Sequence, residues 1–456
     1  MKRRLMLGAC AALLAGCRIP VQPPPQTTLS VPPAWRGQAG PGASVERDWW
    51  RAFADPALDR LVAQALERNN DVRTAQARLQ EYRARVQVAR AVEAPTLSVG
   101  FTPTRARVIG PFGTPIDTTS MQGAFQAAYE LDPFGRTASL TEASRLDYAA
   151  QQAAAEATAL SVAATTASGY LNLRGLDAQL ELARATLASR QRSLDLARRQ
   201  FEVGYSSRLE LSQAEAEYRA TAAVVPQLER AIAQQENALD ILAGANPGPV
   251  GRGTALVRLN APAIQPGLPS ELLRRRPDIA SAERALAAAD ASLAAARDQM
   301  LPSLRLTASL GAYANDLPTL LSSPTRLWSV GGSVLAPLFD AGRLRAQAEI
   351  SASLRDRAVF AYEAAVRNAF ADTENALAAV QRLREQLHEA EARRVATSEV
   401  LRIAHNRYRN GYSSYLEELD AQRNAFAAEN AALQLRAAWL QAHVDLYRAL
   451  GGGWHQ

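Results

Sequence analysis

Few side chains in this 456-residue sequence are of a type and spacing that could carry out a reaction. His388, His405, His443 and His455 lack zinc-protease spacing, and no G-x-S-x-G elbow occurs. Lys2 is the only lysine, so a Walker A phosphate loop, a lysine Schiff base and a kinase lysine all lack their amine in the body of the chain. Cysteine is confined to Cys10 and Cys17, which removes disulfides and thiolate metal sites from the rest. Cys17 is the one reactive group with a context. The run Leu14-Ala15-Gly16-Cys17 resembles the bacterial lipobox, whose cysteine is acylated and becomes the first mature residue.

The surroundings of Cys17 suit that chemistry. Lys2, Arg3 and Arg4 form a positive start, and Leu5 to Ala15 is apolar but too short for a permanent span, so 1–16 reads as a lipoprotein signal peptide. Several acyl chains anchor firmly where one binds only marginally. Residues 17–56, proline-rich at their start, suit an extended, lipid-anchored tether. Arg18 stands where lipoprotein sorting would place an aspartate to retain a protein at the inner membrane, so the expected address is the outer membrane. Without the three leader cations, 48 basic residues face 45 acidic ones; with no basic cluster, nucleic acid is not the expected partner.

The elements that position the remaining candidates come in duplicate. Gly204-Tyr205-Ser206-Ser207 recurs as Gly411-Tyr412-Ser413-Ser414, an offset of 411 less 204, or 207. The same offset takes Pro95 to Pro302, Gly135-Arg136 to Gly342-Arg343, Leu209-Glu210 to Leu416-Glu417 and Gly244 to Gly451. Two tandem repeats follow, 57–250 and 270–456, joined by a linker at 251–269. Within each repeat the pattern predicts a helix, two strands, a very long helix and another helix.

In the first repeat the helix is expected over Ala57 to Glu93, ended by Pro95. Leu97, Val99 and Phe101 then alternate with polar or small residues, as do Phe125, Ala127, Tyr129 and Leu131 after a Gly/Pro-rich loop at 103–120. Leu304 to Leu310 and Trp328 to Val334 repeat the alternation. From Thr137 to Val203 there is no proline, and an apolar seam runs through Leu173, Leu180, Leu187, Leu194 and Phe201, with Arg190 its one interruption. At 1.5 Å per residue this helix is about 100 Å long and must pack on other long helices. Gly204 and Gly411 suit left-handed helix ends, while Ser207-x-x-Glu210 and Ser414-x-x-Glu417 match capping boxes; each tetrapeptide is thus the bend of a helical hairpin.

Strands of about ten residues, apolar on one face, have outer-membrane barrel dimensions. Four cannot stand alone in lipid, because open edges leave N–H and C=O groups unpaired at several kcal/mol each. A barrel needs about eight strands at least; two copies would fill their interior with side chains, and three would give twelve strands around a lumen.

The two-repeat layout, Leu131-Asp132-Pro133-Phe134-Gly135-Arg136, the segment from Pro337 to Arg343, the stretch 408–423 and the closing 446–454 closely resemble the TolC-like outer-membrane efflux factors. The likeness covers about 17–454 and is nearest the lipoprotein (NodT-type) branch serving resistance-nodulation-division pumps. It implies a mainly α protein with a membrane β-barrel contribution: long antiparallel helical hairpins plus four transmembrane strands per chain, closed as a homotrimer with a 12-stranded barrel. The implied function is the passive exit duct of a tripartite efflux system, lipid-anchored in the outer membrane and extending into the periplasm. Its partners would be outer-membrane lipid, a periplasmic adaptor and an inner-membrane pump.

By position, the resemblance makes Leu416, Asp420 and Arg423 the periplasmic gate, three copies of Asp420 forming a carboxylate ring that favours cations. Val203, Gly204, Tyr205, Asn410, Gly411 and Tyr412 are the adaptor-contact candidates, and Trp328 belongs either to an aromatic girdle or to a buried core. No metal and no cofactor beyond lipid on Cys17 is expected. Three alternatives stand beside the duct: a lipid-anchored coiled-coil scaffold without a pore, a protein-secretion duct of the same fold, and, last, a periplasmic enzyme.

Overall fold

The 207-residue offset governs the backbone almost residue for residue. A computed structural model describes residues 23–36, 46–262 and 264–454; the signal peptide and Cys17 lie outside them. The first repeat contains α1 (Pro56–Arg68), α2 (Asn70–Val92), β1 (Thr96–Ile109), β2 (Pro115–Leu131), α3 (Arg136–Glu202) and α4 (Arg208–Leu242). The second contains α5 (Pro269–Arg275), α6 (Pro277–Asp298), β3 (Ser303–Ala314), the short α7 (Leu317–Ser322), β4 (Thr325–Leu335), α8 (Arg343–Arg409) and α9 (Tyr415–Ala449). The long helices α3 and α8 have 67 residues each.

The single helix expected over 57–93 is broken at Asn69. Its ψ of 134° turns the chain outward, its Oδ1 accepts from the Asp71 and Val72 amides, and its Nδ2 donates to the Leu242 carbonyl. A short polar side chain that serves the backbone in this way competes with helix continuation, and apolar periodicity does not report it. Arg276, at the equivalent position, makes the same break and donates to the Ala449 carbonyl at 3.3 Å. Gly244 and Gly451, which follow α4 and α9, close over these breaks with φ of +64° and +92°. A Cβ on Gly451 would sit 1.8 Å from the Arg275 carbonyl oxygen, so both conformation and approach require glycine.

The four strands form one antiparallel sheet in the order β1-β2-β3-β4. The loop expected over 103–120 is mostly strand: β1 runs on to Ile109, β2 starts at Pro115, and only 110–114 turn. Pro103 is tolerated because β1 is an edge strand. Register sorts the two faces cleanly. Val99, Phe125, Leu310 and Trp328 form one cross-strand row, with Leu97, Ala127, Ala308 and Val330 beside it. The opposite face carries the row Ser98, Gln126, Ser309 and Ser329. The apolar row is exposed, Trp328 by 76 %, which excludes a buried core role for that residue.

The described chain divides into two compact units that cut across the repeats. One holds 23–28, 79–151 and 281–363, including the sheet; the other holds 29–36, 46–78, 152–280 and 364–454. In the second unit Leu173, Ile232, Leu239 and Val250 form one cluster, and Leu194, Ala197, Ala214, Tyr415 and Leu419 another. The linker is held rather than loose: Arg436 donates to the carbonyls of Leu256, Val257 and Leu259. Nor does the described part of 17–56 run free. Trp35 packs edge-on against Phe370 and donates to the Gly267 carbonyl, and Trp49, Trp50 and Phe53 are buried. Their rings carry far more apolar surface than an exposed tether needs.

Candidate functional site: the ends of the helical hairpins

Both hairpins turn by the same local chemistry. Gly204 (φ +75°) and Gly411 (φ +76°) follow the long helices. The Tyr205 amide donates to the Gln200 carbonyl and Gly204 to Phe201; Tyr412 donates to Arg407 and Gly411 to Tyr408. This is the Schellman pattern, and it consumes the carbonyls that a helix end leaves orphaned. Asn410 adds a bond from its Nδ2 to the Asn406 carbonyl, which Val203 at the equivalent position cannot make. Val203, Tyr205 and Tyr412 are 77–84 % exposed at these bends.

The next helices start differently. Ser207 caps α4, its Oγ accepting from the Glu210 amide at 3.2 Å. Ser414 makes no such side-chain bond: its backbone carbonyl accepts from Glu417, and the Glu417 carboxylate instead pairs with Arg407 at 3.0 Å. The capping box read at 414–417 is therefore not formed: the Glu417 amide goes to the Ser414 carbonyl rather than its hydroxyl, and the carboxylate goes to Arg407 on the preceding helix.

Leu416 is exposed on the first turn of α9, and exposed Asp420 accepts from Asn424. Arg423 lies one turn further and donates from Nε to Glu217 of the first repeat at 2.8 Å. Glu217 also faces Arg190 at 3.6 Å, whose side chain is 4 % exposed and whose second partner is Gln422. Burial pulls the Arg190 pKa down while Glu217 pulls it back up. Glu418, buried as well, accepts from Gln422 and is bonded to His405 at 2.8 Å. Tyr408 and Tyr415 close the cluster, burial pushing each phenol up to about 12. Glu217, Arg190 and Glu418 escaped sequence reasoning as site residues. The lone cation in the α3 seam was their signal, since a buried arginine demands a carboxylate nearby.

Among the described residues no cluster of His, Cys, Asp or Glu is arranged to hold a metal, and no helix is long and apolar enough to cross a membrane. An exposed apolar face, a polar reverse face and two sheet edges unpaired within the chain, together with long helical hairpins, are features of the class of channel-forming outer-membrane barrel proteins. The model of the outer membrane efflux protein family matches residues 61–245 and 268–452, the two repeats, and the chain belongs to that family.

It is similar to the probable efflux pump outer membrane protein TtgC of Pseudomonas putida, 34 % identical over 100 % of this chain and 96 % of that one. It is 33 % identical to the cation efflux system protein CusC of Escherichia coli, over 99 % of each. Among solved structures, the CmeC outer membrane channel of Campylobacter jejuni superposes with a TM-score of 0.89 at 25 % identity, over 96 % of this chain and 95 % of that one. The chain is an outer-membrane efflux channel, in a family of channels rather than enzymes, and the scaffold without a pore is set aside.

Proposed function

We propose that three copies close their sheets into a 12-stranded barrel, and that their helical hairpins form the tunnel through which an inner-membrane pump and a periplasmic adaptor expel small molecules. The observation that carries this is the sheet itself, with a lipid-compatible row of Val99, Phe125, Leu310 and Trp328 backed by Ser98, Gln126, Ser309 and Ser329. Its edges β1 and β4 find partners only on neighbouring copies. An acylated Cys17 anchors each chain, and no other cofactor is called for. The domain limits of the sequence reading, with repeats at 57–250 and 270–456, describe the unit that was duplicated.

The exposed hairpin bends, Val203 to Tyr205 and Asn410 to Tyr412, are the adaptor contacts in this reading. Leu416, Asp420 and Arg423 form the gate. Three Asp420 carboxylates around one axis make a cation-favouring ring, and Arg423, tied to Glu217, holds the second hairpin against the first. Planar-bilayer conductance tests it. A Leu416→Ala/Asp420→Ala channel should conduct more than the parent and lose cation preference, and an unchanged trace would sink the gate assignment. Heat-resistant trimers in detergent test the barrel, and fatty-acid labelling lost in Cys17→Ala tests the anchor.

A further inference from the structure

The four strands carry the 207-residue offset in their pairing as well as in their sequence. Phe101 pairs with Gly123, and the same pair moved by 207 is Ala308 with Val330, which β3 and β4 make. The rule extends past the chain. β2 pairs with β3, so its repeat sets β4 beside the β1 of a neighbouring copy: Met121 with Ala314 becomes Trp328 (121 plus 207) with Arg107 (314 less 207). By the same step Val330 lies opposite Arg105 of the neighbour, and Val334 opposite Phe101. The faces agree, because the apolar residues of β4 stand at even positions and those of β1 at odd ones, and the deduced pairs join even to odd. Arg326, two residues beyond Trp328 on the same face, becomes the diagonal neighbour of Arg107, about 7–8 Å away.

Charge on this face is confined to one end. From Leu97 to Phe101 on β1, Phe125 to Leu131 on β2, Leu304 to Ala314 on β3 and Trp328 to Val334 on β4, every residue of the apolar face is uncharged. Beyond them stand Arg105, Arg107 and Arg326, all exposed. The single carboxylate on this face of the four strands is Asp117 of β2, 3.9 Å from Arg107. Arg105 and Arg326 make no ion pair among the described residues. An arginine on the lipid face of a barrel is costly at the bilayer midplane and tolerated at the rim. Arg105 lies four residues past Phe101, about 13 Å along the strand, so the cations take the rim and Trp328 sits at the edge of the apolar belt. This rim is the one remote from α3 and α8, which follow the opposite ends of β2 and β4. Two guanidiniums side by side across a seam repel, and one exposed carboxylate does not balance three cations, so closing the barrel calls for an anion from outside.

We propose that each seam between copies binds the phosphates of an outer-leaflet glycolipid of the lipid A class, through Arg105 and Arg107 of one copy and Arg326 of its neighbour. The proposal rests on the trimeric barrel above and adds the register of its seam and the lipid that occupies it. Guanidinium forks grip phosphate oxygens bidentately, and the acyl chains lie below along Trp328 and Val330.

The test uses full, acylated trimers in detergent, with purified bisphosphorylated lipid A as the probe, read by native mass spectrometry and by displacement of a fluorescent lipid A. Parent trimers should bind it, and should bind dephosphorylated lipid A and phosphatidylglycerol about tenfold more weakly; added salt should weaken the first. Arg105→Gln/Arg107→Gln/Arg326→Gln trimers should bind lipid A about tenfold more weakly and keep the parent's single-channel conductance, since these side chains lie on the face away from the lumen. Arg326→Gln alone should already weaken binding, because each site draws on two copies. The register is read separately. Phe101→Cys/Val334→Cys should oxidise to covalently linked copies, and Val99→Cys/Val334→Cys, one pair out of register, should do so far less. Equal binding of dephosphorylated lipid A or phosphatidylglycerol, unweakened binding by the glutamine variant, a changed conductance, or crosslinking through Val99 in preference to Phe101 overturns the proposal. Trimers that crosslink as deduced yet ignore lipid A overturn it alone, whereas absence of heat-resistant parent trimers strikes the barrel reading and this proposal with it.

Discussion

Arg423 of the second repeat donates from Nε to Glu217 of the first at 2.8 Å, and the same carboxylate is the charge partner of buried Arg190 at 3.6 Å. One side chain thus ties the gate-bearing helix to its neighbour and neutralises a cation inside the α3 seam. Removing it should cost more than removing either arginine. Glu217→Ala leaves Arg190 buried and uncompensated, a loss of about 3 kcal/mol, whereas Arg190→Met removes the buried charge together with its unpartnered Nε and should cost about 1 kcal/mol or less. The double variant should recover most of the Glu217→Ala loss. Thermal melting of the helical circular dichroism signal provides the measure, and strict additivity would refute the shared-carboxylate account.

The two serines of the duplicated tetrapeptide should behave unequally. Ser207→Ala removes a bond to the Glu210 amide and should cost about 1 kcal/mol, a typical N-cap loss. Ser414→Ala removes no cap and should change the melting point little. Equal effects would mean that the caps are alike after all.

The glycine that ends the second repeat is more constrained than its sequence context suggests. Gly451→Ala puts a methyl 1.8 Å from the Arg275 carbonyl oxygen at φ +92°, so the α5–α6 break must shift. Strain alone is worth about 1–3 kcal/mol. Gly204→Ala, with φ +75° but nothing within 4 Å, should cost only the left-handed penalty of about 1–2 kcal/mol. Trimer yield and melting point should rank the variants in that order, and the reverse ranking would refute the close approach.

Much of this architecture was legible because duplication and periodicity are written in side-chain type. The offset through Gly204 and Gly411 located both hairpins, and the alternation at Leu97, Val99 and Phe101 located a strand whose face the register then sorted. What stayed hidden depends on partners distant in sequence. Asn69 looks like any polar residue in an amphipathic helix until Leu242 offers it a carbonyl. Pro103 and the loop-like residues after it become strand only because β2 lies alongside. Ser414 matches a capping box, but the Glu417 amide bonds its carbonyl and Arg407 takes the carboxylate. Arg190 was visible as an anomaly, and its meaning required Glu217, 27 positions away by residue number.

His443 on α9 gives the helical unit an acid-sensitive element. Its ring is 5 % exposed, Nδ1 lies 2.8 Å from the Trp439 carbonyl, and the Trp439 ring meets it edge-on. Burial holds its pKa below the usual imidazole value of 6.5, the hydrogen bond to Trp439 opposing this only in part. The folded protein therefore binds this proton less readily than the unfolded chain does. Stability is complete above the unfolded value of about 6.5 and declines as pH falls from there toward the depressed folded value, below which the loss is constant. A His443→Gln variant keeps a polar side chain without the titration, so its melting point should change less between pH 7 and about pH 5 than that of the parent, after subtraction of the shared background. Superimposable pH profiles would show that this imidazole does not set the acid limb.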